Sequence, residues 1–287
     1  MRLTFLGPGN IGSGMVHRLL ERGHDVRLWA RNPDRVQDLL AEGAVWAGTP
    51  LEATAHADIV LSCLGSPQAV REVFITSGVL AAAHSGQTFV EHGTFPPEFA
   101  VELSALALSR GSAFVDAPVS GGPEGARSGT LTLMIGGDAG VVEKIGPVLE
   151  TYGNHLNHVG PVGSGQKLKM INQVLVAIHA AAAAEAAAAM LSAGLDPLPA
   201  VNALKGGWAQ SAMLERNLPR IFAADVADSG ATIGGFADVL DEVADYVDQL
   251  RVPMPLFDLA REAFAVAVAR GHGADDLSAV GRPDSRV

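Results

Sequence analysis

Along the first 160 residues, short apolar runs alternate with stretches of helical spacing. Arg2–Leu6, Val26–Trp29, Asp58–Leu64, Gln87–Glu91 and Ala113–Asp116 are rich in Val, Ile, Leu and Phe and read as strands. Between them, Ile11, Met15 and Leu19 recur at i, i+4 and i+8 on one helical face. Asn32 followed by Pro33 offers an N-cap and a proline at the first helical position, predicting a helix over 33–42. Two more strands, Leu131–Ile135 and Leu156–Val159, flank a helix expected at Ala139–Thr151. Such alternation predicts an α/β domain whose mostly parallel sheet carries crossover helices on both faces. After Gly163-Ser164-Gly165 the pattern turns wholly helical, broken at Gly194, Pro197, Gly206-Gly207, Gly230–Gly235, Pro253 and Pro255. Two domains are therefore expected, 1–162 and an all-helical 163–287, joined through a long helix from about 165 to 193. Gly281–Val287 reads as a loose tail.

Composition changes this picture only at the margins. Of 287 residues, 48% are apolar and 18% charged, which is globular and excludes a disordered or fibrous chain. Val174 to Ala193 has the length of a membrane span, but it is mostly alanine and holds His179 and Glu185. Alanine favours helix and close helix approach, so a helix buried between domains or subunits is expected rather than a membrane segment, with His179 and Glu185 as satisfied interior polar groups. The chain carries 31 acidic and 20 basic residues, net −11, which disfavours nucleic acid and anionic membranes as partners. Cys63 is the single cysteine, so no intrachain disulfide or cysteine zinc module can form, and a cytoplasmic location is expected. Its position at a strand end suggests a small apolar role. The first residues are too short an apolar run for a secretory signal. His155 and His158 lack further ligands at metal-binding spacing, so no metal is expected.

Chemistry enters at Gly7-Pro8-Gly9-Asn10-Ile11-Gly12, a G-x-G-x-x-G directly after a strand and before a helix. Glycines there allow a tight turn, close approach to a pyrophosphate and close helix–sheet packing, while the helix N-terminus offers N–H groups and a positive dipole end. This predicts a Rossmann-type, doubly wound nucleotide domain. At the end of the second strand, Ala30 stands where an NAD site usually offers a carboxylate to the ribose, and Arg31 and Asn32 follow. A guanidinium suits a 2′-phosphate, so NADP is expected, with NAD as the alternative cofactor.

Ser120-Gly121-Gly122, after a strand, offers one hydroxyl and successive unshielded N–H groups, a nest suited to a carboxylate. Lys169 is one of only four lysines, with Lys144, Lys167 and Lys205. It shares a helical face with Asn172, three residues on. A lysine desolvated in a cleft has a depressed pKa suited to general acid/base work. Together Gly7–Gly12, Asp116-Ala117-Pro118-Val119-Ser120-Gly121-Gly122 with Gly125-Ala126 and Gly129-Thr130-Leu131-Thr132, and Gly163-x-Gly165-x-x-x-Lys169-x-x-Asn172-Gln173 resemble the β-hydroxyacid dehydrogenase family over nearly the whole chain. The resemblance implies hydride transfer between a nicotinamide and the hydroxyl-bearing carbon of a β-hydroxyacid, or reduction of its semialdehyde. It also implies Lys169 as general acid/base, Ser120, Gly121, Gly122 and Asn172 at the substrate, and Thr94 near the nicotinamide ribose.

The chain departs from the family pattern in places. Glu91-His92-Gly93 replaces the usual Asp-Met-Ser before Thr94, and Leu64-Gly65-Ser66 replaces the usual Leu-Pro after the third strand. The family's second lysine is missing, and Asp238 stands at its place, or Ala237 if one residue is inserted. Asp238, Asp241, Glu242, Asp245 and Asp248 follow one another on an acidic helix, read as a solvated face except at Asp238. Trp208 stands where relatives have small residues, as a pocket wall or a core residue. These changes predict a substrate less anionic than a tartronate-type acid. An imine reductase and a non-catalytic dinucleotide-binding scaffold are the alternative readings, and a homodimer or homotetramer is expected from the alanine-rich helix.

Overall fold

The computed structural model describes residues 1–225, 227 and 230–281, so the expected tail beyond Gly281 lies outside the described residues. The chain forms two compact units, Met1–Lys169 and Met170–Val287. The boundary falls inside the long helix rather than at the glycines that precede it, because the first turns of that helix pack on the sheet.

The first unit holds nine strands: β1 (Leu3–Leu6), β2 (Val26–Trp29), β3 (Val45–Trp46), β4 (Ile59–Ser62), β5 (Thr88–Glu91), β6 (Ala113–Asp116), β7 (Val119–Ser120), β8 (Leu131–Gly136) and β9 (Gly153–Gly160). They line up as β3-β2-β1-β4-β5-β6-β8-β7, with β9 on the other edge of β8. Pairing is parallel from β3 through to β6 and antiparallel from β6 and β7 to β8. The strand order reverses between β1 and β4, which opens a crevice at the carboxyl ends of these strands. Register sets Trp29, Leu6, Ser62, Glu91 and Asp116 side by side in one row along that carboxyl edge. The segments Gly7–Gly12, Arg31, Leu64 and Thr94 leave the sheet just past that row, whereas Ser120–Gly122 runs on from the end of β7 and Gly163–Lys169 follows β9.

Helices α1 (Asn10–Glu21), α2 (Pro97–Leu108), α3 (Gly122–Ser128) and α4 (Ala139–Leu149) join the strands. Phe5, Met15, Leu19, Leu28 and Leu61 fill the core on one face of the sheet, and Leu6, Val60, Phe74, Phe89 and Phe114 on the other. Burying such side chains stabilises by roughly 1.5–3 kcal/mol each. The expected helix over 33–42 splits into a 3-10 turn at Pro33–Val36, capped by Asn32, and a short helix at Gln37–Ala41. β3 and β7, two residues each, are too short to leave a periodic trace. The glycine turn after Ser120 is also the start of a helix, since α3 begins at Gly122.

The second unit is helical: most of α5 (Ser164–Ser192), then α6 (Pro197–Lys205), α7 (Ala212–Phe222), α8 (Ile233–Leu250) and α9 (Pro255–Ala269). Helix α5 is long and apolar enough to cross a membrane by length and composition. One stripe of it, Met170, Val174, Ala177, Ala180 and Ala184, is buried with Phe236, Leu240, Phe257 and Phe264. His179 and Glu185 lie off this stripe and are exposed within the single chain. A single helix buries only the face its packing partners cover.

Candidate active site

The nucleotide loop follows from β1. Gly7 has φ +70°, and its N–H donates to the Trp29 carbonyl at 2.8 Å. A side chain at Gly7 would collide with Leu64, and one at Gly12 would come within 2.9 Å of the Phe5 ring. Gly9, by contrast, faces open space. Pro8 is buried, Gly9 and Asn10 are exposed, and Ile11 packs on the core. Helix α1 starts at Asn10 with no side-chain cap and no acidic residue in its first turn. Its first-turn N–H groups and dipole end thus meet a bare glycine surface, an arrangement that fits a pyrophosphate. At the end of β2, Ala30 is buried and Arg31 is exposed, its guanidinium 3.0 Å from Glu72 in an ion pair. Asn32 is committed to capping, accepting from the Asp34 N–H at 2.9 Å.

The next two turns are tied together from below. Glu91 ends β5 fully buried, and its Oε1 accepts from the Leu64 N–H at 3.1 Å and the Gly93 N–H at 2.7 Å. Burial pushes its carboxyl up to about 7. His92 is buried too; its Nδ1 meets the Ala117 carbonyl at 2.7 Å and its Nε2 the Tyr152 hydroxyl at 3.0 Å. Thr94 follows, half-buried. Burial pushes the Cys63 thiol up to about 12, in keeping with a small apolar role, and Cys63 also senses the charges of Glu91 and Lys169.

Asp116, last residue of β6, organises the lysine. Its Oδ1 accepts from the Gly163 N–H at 2.7 Å and its Oδ2 from the Gln166 N–H at 2.8 Å, so it caps α5 from 47 residues away. A side chain at Gly165 would come within 2.8 Å of the Asp116 carbonyl, which explains the Gly163-x-Gly165 spacing. Gln166 donates to the Gly93 carbonyl at 2.8 Å and accepts from the Phe95 N–H at 3.2 Å. One turn later Lys169 is buried, only 7% exposed, and desolvation pulls its ammonium down to about 8. An amine near neutrality can both take and give a proton. Ser120 is half-buried at the end of β7, and Gly121 and Gly122 adopt φ +129° and +62°.

Within the first unit, then, Gly7–Gly12, Arg31, Leu64 and Thr94 follow the carboxyl ends of β1, β2, β4 and β5, Ser120–Gly122 runs on from the end of β7, and Lys169 lies in the first turns of α5. Asn172, Trp208 and Asp238 belong to the second unit. Asn172 is half-buried on α5, Asp238 is exposed on α8, and Trp208 is fully exposed after α6, which removes the core reading for it. In the acidic series, burial and then the neighbouring Asp245 charge raise the Glu242 carboxyl. Among the described residues no group of His, Cys, Asp or Glu is placed to hold a metal ion, and His158 Nε2 instead meets the Gly137 and Gly160 carbonyls. Sequence reading gave Glu91 and Asp116 no role and missed Gln166 and Tyr152. Gly93 and Gly165, where a Cβ would meet Glu91 and Asp116, were the available signal for the first two.

Comparison with known proteins places the chain. Residues 2–160 match the family model for the NAD binding domain of 6-phosphogluconate dehydrogenase. Residues 163–283 match that for the NAD-binding region of NADP-dependent 3-hydroxyisobutyrate dehydrogenase. The 2-hydroxy-3-oxopropionate reductase of Escherichia coli is 32% identical, covering 98% of this chain and 96% of its own. The 3-hydroxyisobutyrate dehydrogenase of Mycobacterium tuberculosis, solved with L-serine, is 31% identical over 98% of both chains with a TM-score of 0.86. Psf3 in complex with NADP+ and 2-OPP is 27% identical, with a TM-score of 0.89 over 97% of this chain and 98% of its own. An imine reductase from Pseudomonas sp., 19% identical with a TM-score of 0.63 over 97% of each chain, shares the fold.

Proposed function

The chain belongs to the β-hydroxyacid dehydrogenase family, NAD(P)-dependent oxidoreductases acting on hydroxyacids, and from that premise we propose the part each residue plays. When bound, the cofactor supplies the hydride chemistry. Gly7–Gly12 and the first turn of α1 hold its pyrophosphate, with Pro8 and Ile11 fixing the loop on the core. Arg31, beside Asn32, takes the 2′-phosphate, which makes NADP the preferred cofactor. Leu64 and Thr94 border the nicotinamide half.

Ser120, Gly121 and Gly122 hold the substrate carboxylate through the hydroxyl and backbone N–H groups, and Asn172 steadies the reacting oxygen. Lys169 takes the hydroxyl proton in oxidation and returns it in reduction. The observation that carries this reading is a buried amine held near neutrality by desolvation, on a helix whose N-terminus Asp116 fixes. With Asp238 and Trp208 where relatives carry other residues, the substrate is a hydroxyacid or semialdehyde less anionic than a tartronate-type acid. The enzyme works in the cytoplasm as a homodimer or homotetramer joined through the alanine-rich helix.

A hydroxyacid panel read by NADPH fluorescence identifies the acid, and Michaelis constants for NADPH and NADH test Arg31. Lys169→Ala is expected to lower kcat at least 100-fold while leaving NADPH binding intact. Undiminished turnover in that variant would refute the assignment, as would a clear NADH preference for Arg31 and a best specificity constant for tartronate semialdehyde for the substrate.

A further inference from the structure

Glu91 and His92 stand side by side at the carboxyl end of β5, where the sequence leaves the family pattern, yet their side chains serve different turns. Glu91 folds back so that a single oxygen holds the N–H groups of Leu64 and Gly93. The fit depends on Gly93, because a Cβ there would lie 2.7 Å from Glu91 Oε1 and 2.5 Å from the Leu64 carbonyl oxygen. Leu64 in turn fills the space beside Gly7 in the nucleotide loop. His92 reaches the other way. With Ala117 offering only a carbonyl, Nδ1 carries the proton and donates to it, so Nε2 accepts from the Tyr152 hydroxyl. The two rings meet edge to face, their centroids 5.5 Å apart. Ala117 lies three residues before Ser120.

We propose that Glu91 and His92 are positioning residues that divide the two ligands between them. Glu91 fixes the turns that face the cofactor, and His92 fixes the segment that leads into the substrate turn. Burial supports a fixed donor pattern at His92, since it holds the imidazole down at about 4 and therefore neutral near pH 7. The inference rests on the site assignment made above for the Gly7–Gly12 loop and Ser120–Gly122.

The test compares Glu91→Ala and His92→Ala with their conservative counterparts Glu91→Gln and His92→Asn. Gln keeps a carbonyl oxygen for the Leu64 and Gly93 N–H groups, and Asn keeps a donor for the Ala117 carbonyl. The NADPH dissociation constant is read by calorimetry. The substrate KM is read with 3-hydroxyisobutyrate, or with the acid the panel selects, and amide exchange is followed by mass spectrometry. Glu91→Ala is expected to weaken NADPH binding roughly tenfold and speed exchange at residues 64–66 and 93–94, with the substrate KM unchanged. His92→Ala is expected to raise the substrate KM roughly tenfold and speed exchange at 117–122, with NADPH affinity unchanged. The Gln and Asn variants should restore each parameter.

If an alanine variant does not fold, Glu91→Met or His92→Phe takes its place with the same expectation. Both substitutions moving the same constant and the same amides, or failure of the conservative variants to restore them, would overturn the inference. An unsubstituted protein that neither binds NADPH nor turns over any acid would instead sink the site assignment, so the two failures are told apart.

Discussion

Glu91 sets burial against ionisation at the sheet edge. Its ordinary value is 4.5, and burial moves it to about 7 in the folded protein. Between those values the folded chain holds a proton that the unfolded chain has lost, so stability falls as pH rises through this window. The difference corresponds to roughly 3 kcal/mol. Replacing Glu91 with Gln removes the titration and keeps the accepting oxygen. Denaturant melts should then show the stability of Glu91→Gln gaining about 3 kcal/mol on the parent between pH 4.5 and pH 8. Parallel pH curves for the two proteins would contradict a buried, titrating carboxyl. The sequence marks Glu91 only as a departure from the family pattern; its burial and its partners at Leu64 and Gly93 follow from the pairing of β4 with β5, which no local pattern records.

Helix α5 shows the same limit one scale up. Its existence and length were readable from helical spacing and alanine content, and the structure places it at Ser164–Ser192 against an expected 165–193. Its cap was not readable, because a cap is usually sought within a few residues, whereas Asp116 comes from a strand 47 residues earlier. Asp116→Ala would leave buried N–H groups of Gly163 and Gln166 without their acceptor. We expect a loss of roughly 3 kcal/mol in stability, and about 1 kcal/mol for Asp116→Asn, which keeps one carbonyl. Thermal melts of the two variants check this, and equal melting temperatures for parent and Asp116→Ala would contradict the capping role. The motif glycines were legible because the residue type itself records the constraint, even where the neighbour lies far along the chain. Gly7 turns with a positive φ, and Gly12 and Gly165 meet backbone or rings where no side chain fits.

For the whole molecule, the α/β half followed by a helical half could be read from the sequence, since strands covered on both faces leave short continuous apolar runs and one-sided helices repeat at 3.6 residues. What periodicity cannot register is a long-range polar tie. In the second unit Asp276 is fully buried, held by Arg216 through two hydrogen bonds of 3.0 and 2.7 Å and approached by Arg220 at 3.3 Å. It also caps the last short turn, accepting from Ser278 N–H at 2.9 Å. Removing the carboxylate leaves two guanidinium groups facing a buried gap, and breaking such a pair costs about 3–5 kcal/mol. Asp276→Ala should therefore lower the melting temperature by several degrees; a shift within error would show the network to be dispensable.

The proposed proton transfer needs the amine of Lys169 to be both buried and near neutrality, and the pH dependence of kcat/KM for NADP-linked oxidation reads that property. Oxidation requires the unprotonated amine, so kcat/KM should climb with unit slope up to about pH 8 and level off above it. Lys169→Met should lose both the rate and that inflection. A profile that runs flat through pH 8, or an inflection that survives in Lys169→Met, would contradict the assignment of the proton transfer to this residue.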